Sequence, residues 1–147
     1  MNIAAYKNLS HQLVIAGVLP FVAGTLLLLA GIRSLPGLGD TENVIASYAL
    51  VISVFLTGIH WGQHLSRGNM PINLFITSNV IAVLIWISWL ILPVFAFLFF
   101  VVAVLVIMLI IDRRLFRDSI ITRTYVVTRT VITGIVMTCL CITALLS

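Results

Sequence analysis

Residues 72–111 read INLFITSNVIAVLIWISWLILPVFAFLFFVVAVLVIMLII, an interval without a single charged side chain. As one continuous helix it would measure roughly 60 Å, twice the hydrocarbon thickness of a bilayer. It therefore has to turn back on itself. The break belongs at Pro93, because proline pushes the preceding Leu92 out of helical geometry. Trp86 and Trp89, just before the break, suit a membrane–water interface. Two spans result, at 72–91 and 93–111. The second is apolar on every side, with Phe95, Phe97, Phe99 and Phe100, and is expected to face lipid over much of its girth.

The rest of the chain fits the same scale. Of 147 residues, 62% are hydrophobic and 8% charged, against about 25% charged in soluble domains. With roughly 20 apolar residues needed per crossing, a chain of this length forms one bundle and no separate soluble domain. Further spans fall at 13–32, 43–65 and 125–146. The expected fold is all-α: a polytopic integral membrane protein, a five-transmembrane-helix bundle built as a single domain over 1–147. The first apolar run is longer than a signal-peptide core and no small-x-small cleavage pattern follows it, so it reads as a retained helix. The opening segment MNIAAYKNLSHQ lacks the arginines of a mitochondrial transit peptide, which points to a bacterial inner membrane. A formal charge of +4, dispersed along the chain, gives no reason to expect nucleic acid as a partner; the lipid bilayer is the expected one.

Inside the first span, AGVLPFVAGTLLLLAGIRSLP repeats Ala16–Gly17, Ala23–Gly24 and Ala30–Gly31 at seven-residue spacing. Seven residues are nearly two helical turns, so these positions form a narrow stripe of small side chains of the kind that lets membrane helices approach closely. Pro20 lies within the span and is expected to kink it, a neighbouring helix satisfying the freed carbonyl. SLPGLGDTEN then reads as a loop in which Asp40 or Thr41 caps the second helix. Cys139 and Cys141, two apart, fall on different faces of a helix and read as small apolar fillers. Between the fourth and fifth spans, Leu115, Phe116, Ile120 and Ile121 fit either a short interfacial helix or an extension of the fourth helix into water. Lys7, Arg67, Arg113, Arg114, Arg117 and Arg123 gather on the N-terminal side and Arg33 alone on the other. That asymmetry places the N-terminus in the cytoplasm and the C-terminus in the periplasm. Arg129, about one turn inside the fifth span, is within reach of Asp112 at the end of the fourth, and a charge-paired clasp between the two helices is expected.

The segments GVLPF (Gly17 to Phe21), YALVISVFLTGIHWG (Tyr48 to Gly62), Asp112 and YVVTRTVIT (Tyr125 to Thr133) resemble the Domain of Unknown Function 3429 family. This family comprises small bacterial inner-membrane proteins and includes the mitochondrial transmembrane protein 69. The resemblance covers Leu13 to Thr133, and IHWG is its most specific part. It implies a polytopic helical membrane protein without an established activity. Pro20, Tyr48, His60, Trp61, Gly62, Asp112 and Arg129 match the family pattern, whereas His64 lies just outside it.

The chemistry of the second span centres on TGIHWGQHLSRG, Thr57 to Gly68. Ser53, Thr57, His60 and His64 fall within a narrow arc of one helix, a polar stripe expected to face the bundle interior. A metal site wants three or four protein ligands, and a haem would need an axial ligand from another helix or subunit; the sequence supplies too few for either. A quinone or proton site built on His60 with Trp61 and Arg129 is chemically adequate, since imidazole titrates near neutral pH. The packing reading has His60 bonding across to Thr77, Asn79 or Thr133, with Gly58 and Gly62 permitting close approach. No nucleophile-and-base set, phosphate loop or carboxylate pair is apparent, so no enzyme is expected. The leading expectation is a non-enzymatic accessory or assembly subunit of a larger, respiratory-type membrane complex, its partner another membrane protein or a second copy. Gly17, Gly24 and Gly31 would serve those contacts. The alternatives are a haem, metal or quinone binder using His60 and His64, and a small-solute transporter. No cofactor is required by the residues.

Overall fold

A computed structural model of the protein describes residues 3–67 and 72–147, with side chains over 12–66 and 72–147. Lys7, His11 and the Arg67 side chain, used above for orientation and ligand counting, lie outside the described side chains. Five helices make the bundle: α1 (Ile3–Leu29), α2 (Thr41–Arg67), α3 (Leu74–Ile91), α4 (Val94–Arg117) and α5 (Arg123–Leu146). All five are long and apolar enough to cross a membrane.

The turn at Pro93 is where the sequence puts it. Leu92 is extended at φ −96°, ψ 144°, α3 stops at Ile91, and Pro93 opens α4 with its carbonyl accepting the Phe97 amide at 3.0 Å. Proline suits this place because the first turn of a helix has no use for its missing N–H. Across the corner Trp89 meets Phe97 edge-on at 5.0 Å.

α4 turns one face into the bundle and keeps another outward. Phe97, Leu98, Val101, Val104, Leu105, Met108 and Leu115 are all buried, and the helix packs against α2, α3 and α5. A helix that is apolar all round suits lipid and protein interior equally; the three neighbouring helices cover one face of α4 and leave the other free. The opposite face, through Phe95, Phe99, Ala103, Val106, Ile107 and Ile110 and on to Arg113, Arg114, Phe116 and Arg117, stays exposed. Between α4 and α5 there is no separate interfacial helix. α4 continues through Leu115, which is fully buried, to Arg117, and Ser119 then turns left-handed at φ +57°. The Ile120 amide reaches back to the Leu115 carbonyl and the Ser119 amide to Phe116, both at 2.9 Å, a Schellman closure.

α1 ends in the same way. Gly31, at φ +82°, occupies the left-handed position, with the Ile32 amide on the Leu27 carbonyl. Gly31 is thus a helix terminator and no part of a packing stripe. The stripe itself is divided: Gly24 is buried so closely on Ile45 that a Cβ would come within 2.6 Å of its Cγ1, while Ala16, Ala23 and Ala30 face outward. The loop that follows folds into a two-stranded hairpin the sequence reading missed, β1 (Ser34–Leu35) against β2 (Gly39–Asp40). The Thr41 hydroxyl, rather than capping α2, donates to the Ile32 carbonyl at 2.9 Å and anchors the hairpin's exit to its entrance.

α1 also closes the bundle against the last helix. Thr25 and Thr143 bring their hydroxyls within 3.2 Å, and Thr25 donates to the Cys139 carbonyl at 3.4 Å. Arg33 donates to the Leu146 carbonyl at 2.8 Å. These polar contacts hold helices together where apolar side chains gain little by leaving lipid.

Candidate functional site

Asp112 sits near the end of α4 with none of its surface exposed, and its two carboxylate oxygens are divided between two other helices. Oδ1 lies 2.9 Å from His60 Nε2 on α2, and Oδ2 lies 3.3 Å from Arg129 Nε on α5. An ionised carboxylate only accepts, so His60 donates through Nε2–H, as Arg129 does through Nε–H. A buried carboxylate is costly unless neutralised and hydrogen-bonded, and this arrangement supplies one cation and two donors. The cluster thereby joins three helices at one point.

The clasp between Asp112 and Arg129 is the one the sequence suggests. The partner of His60 is not. Thr77 and Asn79 spend their side chains on α3's own backbone, donating to the Asn73 carbonyl at 3.0 Å and the Phe75 carbonyl at 2.8 Å. Thr133 is buried but makes no bond to His60. A short polar side chain on a helix readily bonds the carbonyl one turn back, whereas a carboxylate near the bilayer draws every donor within reach. Asp112, placed by sequence reasoning at the membrane edge, is that acceptor.

The polar stripe of α2 does turn inward: Ser53, Thr57 and His60 are buried. Its two imidazoles, however, serve different partners. His64 Nδ1 accepts the Leu74 amide at 3.4 Å, at the start of α3, and its ring lies 4.2 Å from that of Phe75. Trp61 meets Phe75 edge-on at 5.1 Å and remains 43% exposed, so it lines the outside of the α2–α3 corner and stays away from Asp112. Gly58 and Gly62 lie on the open side of α2 with no atom near where a Cβ would stand; they mark no close helix contact, contrary to expectation.

Farther along, Tyr48 packs on α1 near Pro20, which lies inside that continuous helix. Its hydroxyl donates to the Gly17 carbonyl at 3.1 Å, one residue beyond the Ala16 carbonyl that Pro20 deprives of an amide, and its ring packs on Phe21 at 5.0 Å. Pro20, Gly17 and Tyr48 thus form one unit remote from the charged cluster.

Two residues that sequence reasoning passed over belong with Asp112. Tyr125, one turn before Arg129 on α5, brings its hydroxyl into the field of Asp112 and Arg129 and faces the Gln63 side chain on α2. Gln63 Oε1 is buried without a hydrogen-bond partner. The i to i+3 spacing of His60 and Gln63, and the i to i+4 spacing of Tyr125 and Arg129, were available signals for a shared helix face. Among the described residues no three His, Cys, Asp or Glu side chains converge as a metal site would require.

No curated relative and no solved structure matches the chain. One family does, over residues 7–145, nearly the whole length and all five helices save their extreme ends. The matched range includes His60 and Trp61 on α2, Asp112 on α4 and Arg129 on α5, and the chain belongs to the family described as Protein of unknown function (DUF3429).

Proposed function

We propose that the protein is a non-enzymatic subunit of a bacterial inner-membrane complex, with an accessory or assembly role and its N-terminus in the cytoplasm. The observation that carries this reading is the internal use of the ionic cluster: both Asp112 oxygens are taken by His60 and Arg129. The strongest polar groups in the spans hold three helices together, leaving recognition to the outer surface. That surface is apolar and, along α1, lined by Ala16, Ala23 and Ala30 beside Leu19 and Leu26, small and large side chains of the sort that pack against another membrane helix. Every basic residue other than Arg33 belongs to the end of the bundle where the N-terminus lies, which supports the orientation. The test is purification from membranes in mild detergent followed by mass spectrometry. A stoichiometric membrane-protein partner supports the role, and a monodisperse lone protomer overturns it.

A second reading rests on the His60–Asp112 pair, because a carboxylate bonded to one imidazole nitrogen is the arrangement that orients histidine for ligation or proton transfer. In that reading the protein binds haem or a quinone, with His64 drawn away from the Leu74 amide to join His60. An optical spectrum and solvent extraction of the purified protein distinguish it: a Soret band or an extractable quinone lost on His60→Ala favours this reading over the first.

A further inference from the structure

The outward face of α4 changes character along its length. Phe95, Phe99, Val106, Ile110, Arg113 and Arg117 are all exposed, and their spacings of four, seven, four, three and four residues put them on a single line along the helix. The apolar part, Phe95 to Ile110, measures about 22 Å at 1.5 Å per residue. Arg113 and Arg117 follow within two turns, at the depth where roughly 30 Å of hydrocarbon gives way to headgroups. Arg114 and Arg123 stand exposed at the same end of the bundle. These four arginines are accompanied by one exposed acid, Asp118, and among the described residues none of them lies within ion-pair distance of a carboxylate. At the Phe95 end the same face carries no charge.

We propose that this face of α4 binds an anionic phospholipid, with an acyl chain along Phe99, Val106 and Ile110 and the phosphate between the guanidinium groups of Arg113 and Arg117. The two arginines are one turn apart, which sets their side chains next to each other. A planar guanidinium matches two phosphate oxygens at once. Arg114 and Arg123 add long-range attraction that enriches anionic headgroups around the site. A lipid presents its apolar and anionic parts in the same order along the bilayer normal as this face does. An acidic soluble segment would meet the arginines alone and leave Phe99, Val106 and Ile110 uncovered, so the length of the exposed line favours lipid. A zwitterionic headgroup couples its phosphate to a cation that the arginines repel, and the site therefore prefers a net negative one. This binding requires neither a cavity nor a partner protein.

Native mass spectrometry of the full chain in mild detergent tests it, with phosphatidylglycerol and phosphatidylcholine of identical acyl chains as probes. Phosphatidylglycerol is expected to be retained in preference. Arg117→Gln is expected to lower phosphatidylglycerol affinity about fivefold, the worth of one arginine at an anionic surface, and Arg113→Gln combined with Arg117→Gln on the order of 25-fold, with phosphatidylcholine binding unchanged. Both positions are exposed, so these variants are expected to fold. Arg33→Gln removes the same charge from the other end of the bundle, where Arg33 meets Leu146, and is expected to leave the preference intact. An equal fall in Arg33→Gln would show a response to net charge alone and overturn the site on α4. Equal retention of the two lipids by the wild type overturns the proposal, as does an unaltered preference in the double variant. Displacement of the lipid by millimolar glycerol 3-phosphate would assign the arginines to a soluble anion, and a co-purifying protein released by the double variant would assign the face to an acidic partner; either result overturns the lipid assignment.

Discussion

At the scale of single residues, Asp112 concentrates the energetic risk of this protein. Removing one partner of a buried ion pair costs about 3–5 kcal/mol, because the survivor is left charged without compensation. Arginine cannot shed its charge and a carboxylate can. Asp112→Asn is therefore expected to destabilise the bundle more than Arg129→Leu, and the double variant, which leaves no stranded charge, less than either single one. Thermal unfolding in a fixed detergent measures all three; additive losses would show that the two residues do not act as a pair. His60→Asn should cost less, about 1.5–3 kcal/mol, the worth of one hydrogen bond to a charged group. The pairing of Arg129 with Asp112 was legible in the sequence because both lie at the same depth on consecutive helices. The partner of His60 was not, since 52 residues separate it from Asp112 and nothing local reports which helix α2 will lie against. Gln63 and Tyr125 escaped notice for a related reason: each is an ordinary residue on its own helix, and only their meeting gives them significance.

Among the elements, the best-read feature is the corner at Pro93, where backbone stereochemistry alone decides the outcome. The weakest signal is in α4, whose uniform apolarity does not say which face turns inward; that follows only from its packing against α2, α3 and α5. The hairpin between α1 and α2 was missed because two-residue strands leave no periodic trace; the glycines at 31, 37 and 39, all with positive φ, were its only mark. Packing between elements makes its own prediction at Gly24. A methyl group there would press on Ile45, so Gly24→Ala should cost about 1–3 kcal/mol, as overpacking commonly does. Ile45→Ala in the same chain returns the space and should recover part of the loss. If Gly24→Ala proves neutral in thermal unfolding, α1 and α2 are not held as closely as described. A second element-level expectation concerns Ser119, held at φ +57° in the turn that closes α4. Ser119→Gly relieves that conformation, worth roughly 1 kcal/mol in the folded state, though glycine's greater freedom when unfolded takes back about half. A small rise in melting temperature is the expected result.

For the whole molecule, number of crossings and direction are joint consequences of composition. Five crossings would put the termini on opposite faces, and the orientation proposed above follows from the arginine distribution. Reporter fusions should place the 36–38 hairpin tip and the C-terminus outside, and the 118–122 turn inside. Replacing Arg113, Arg114 and Arg117 with glutamine should weaken that preference and yield mixed orientation in the same assay. A uniform, unaltered orientation would mean that some other determinant governs insertion. The order of helices in the bundle had no counterpart in the sequence, because lipid-facing and protein-facing apolar side chains are chemically alike.

The ion pair has a consequence for biogenesis. Asp112 lacks its guanidinium partner, 17 residues on, until α5 has packed beside α4, and its other described partner, His60, stands on the earlier helix α2. His60→Asn is therefore expected to lower the yield of folded protein as well as the stability of the finished bundle.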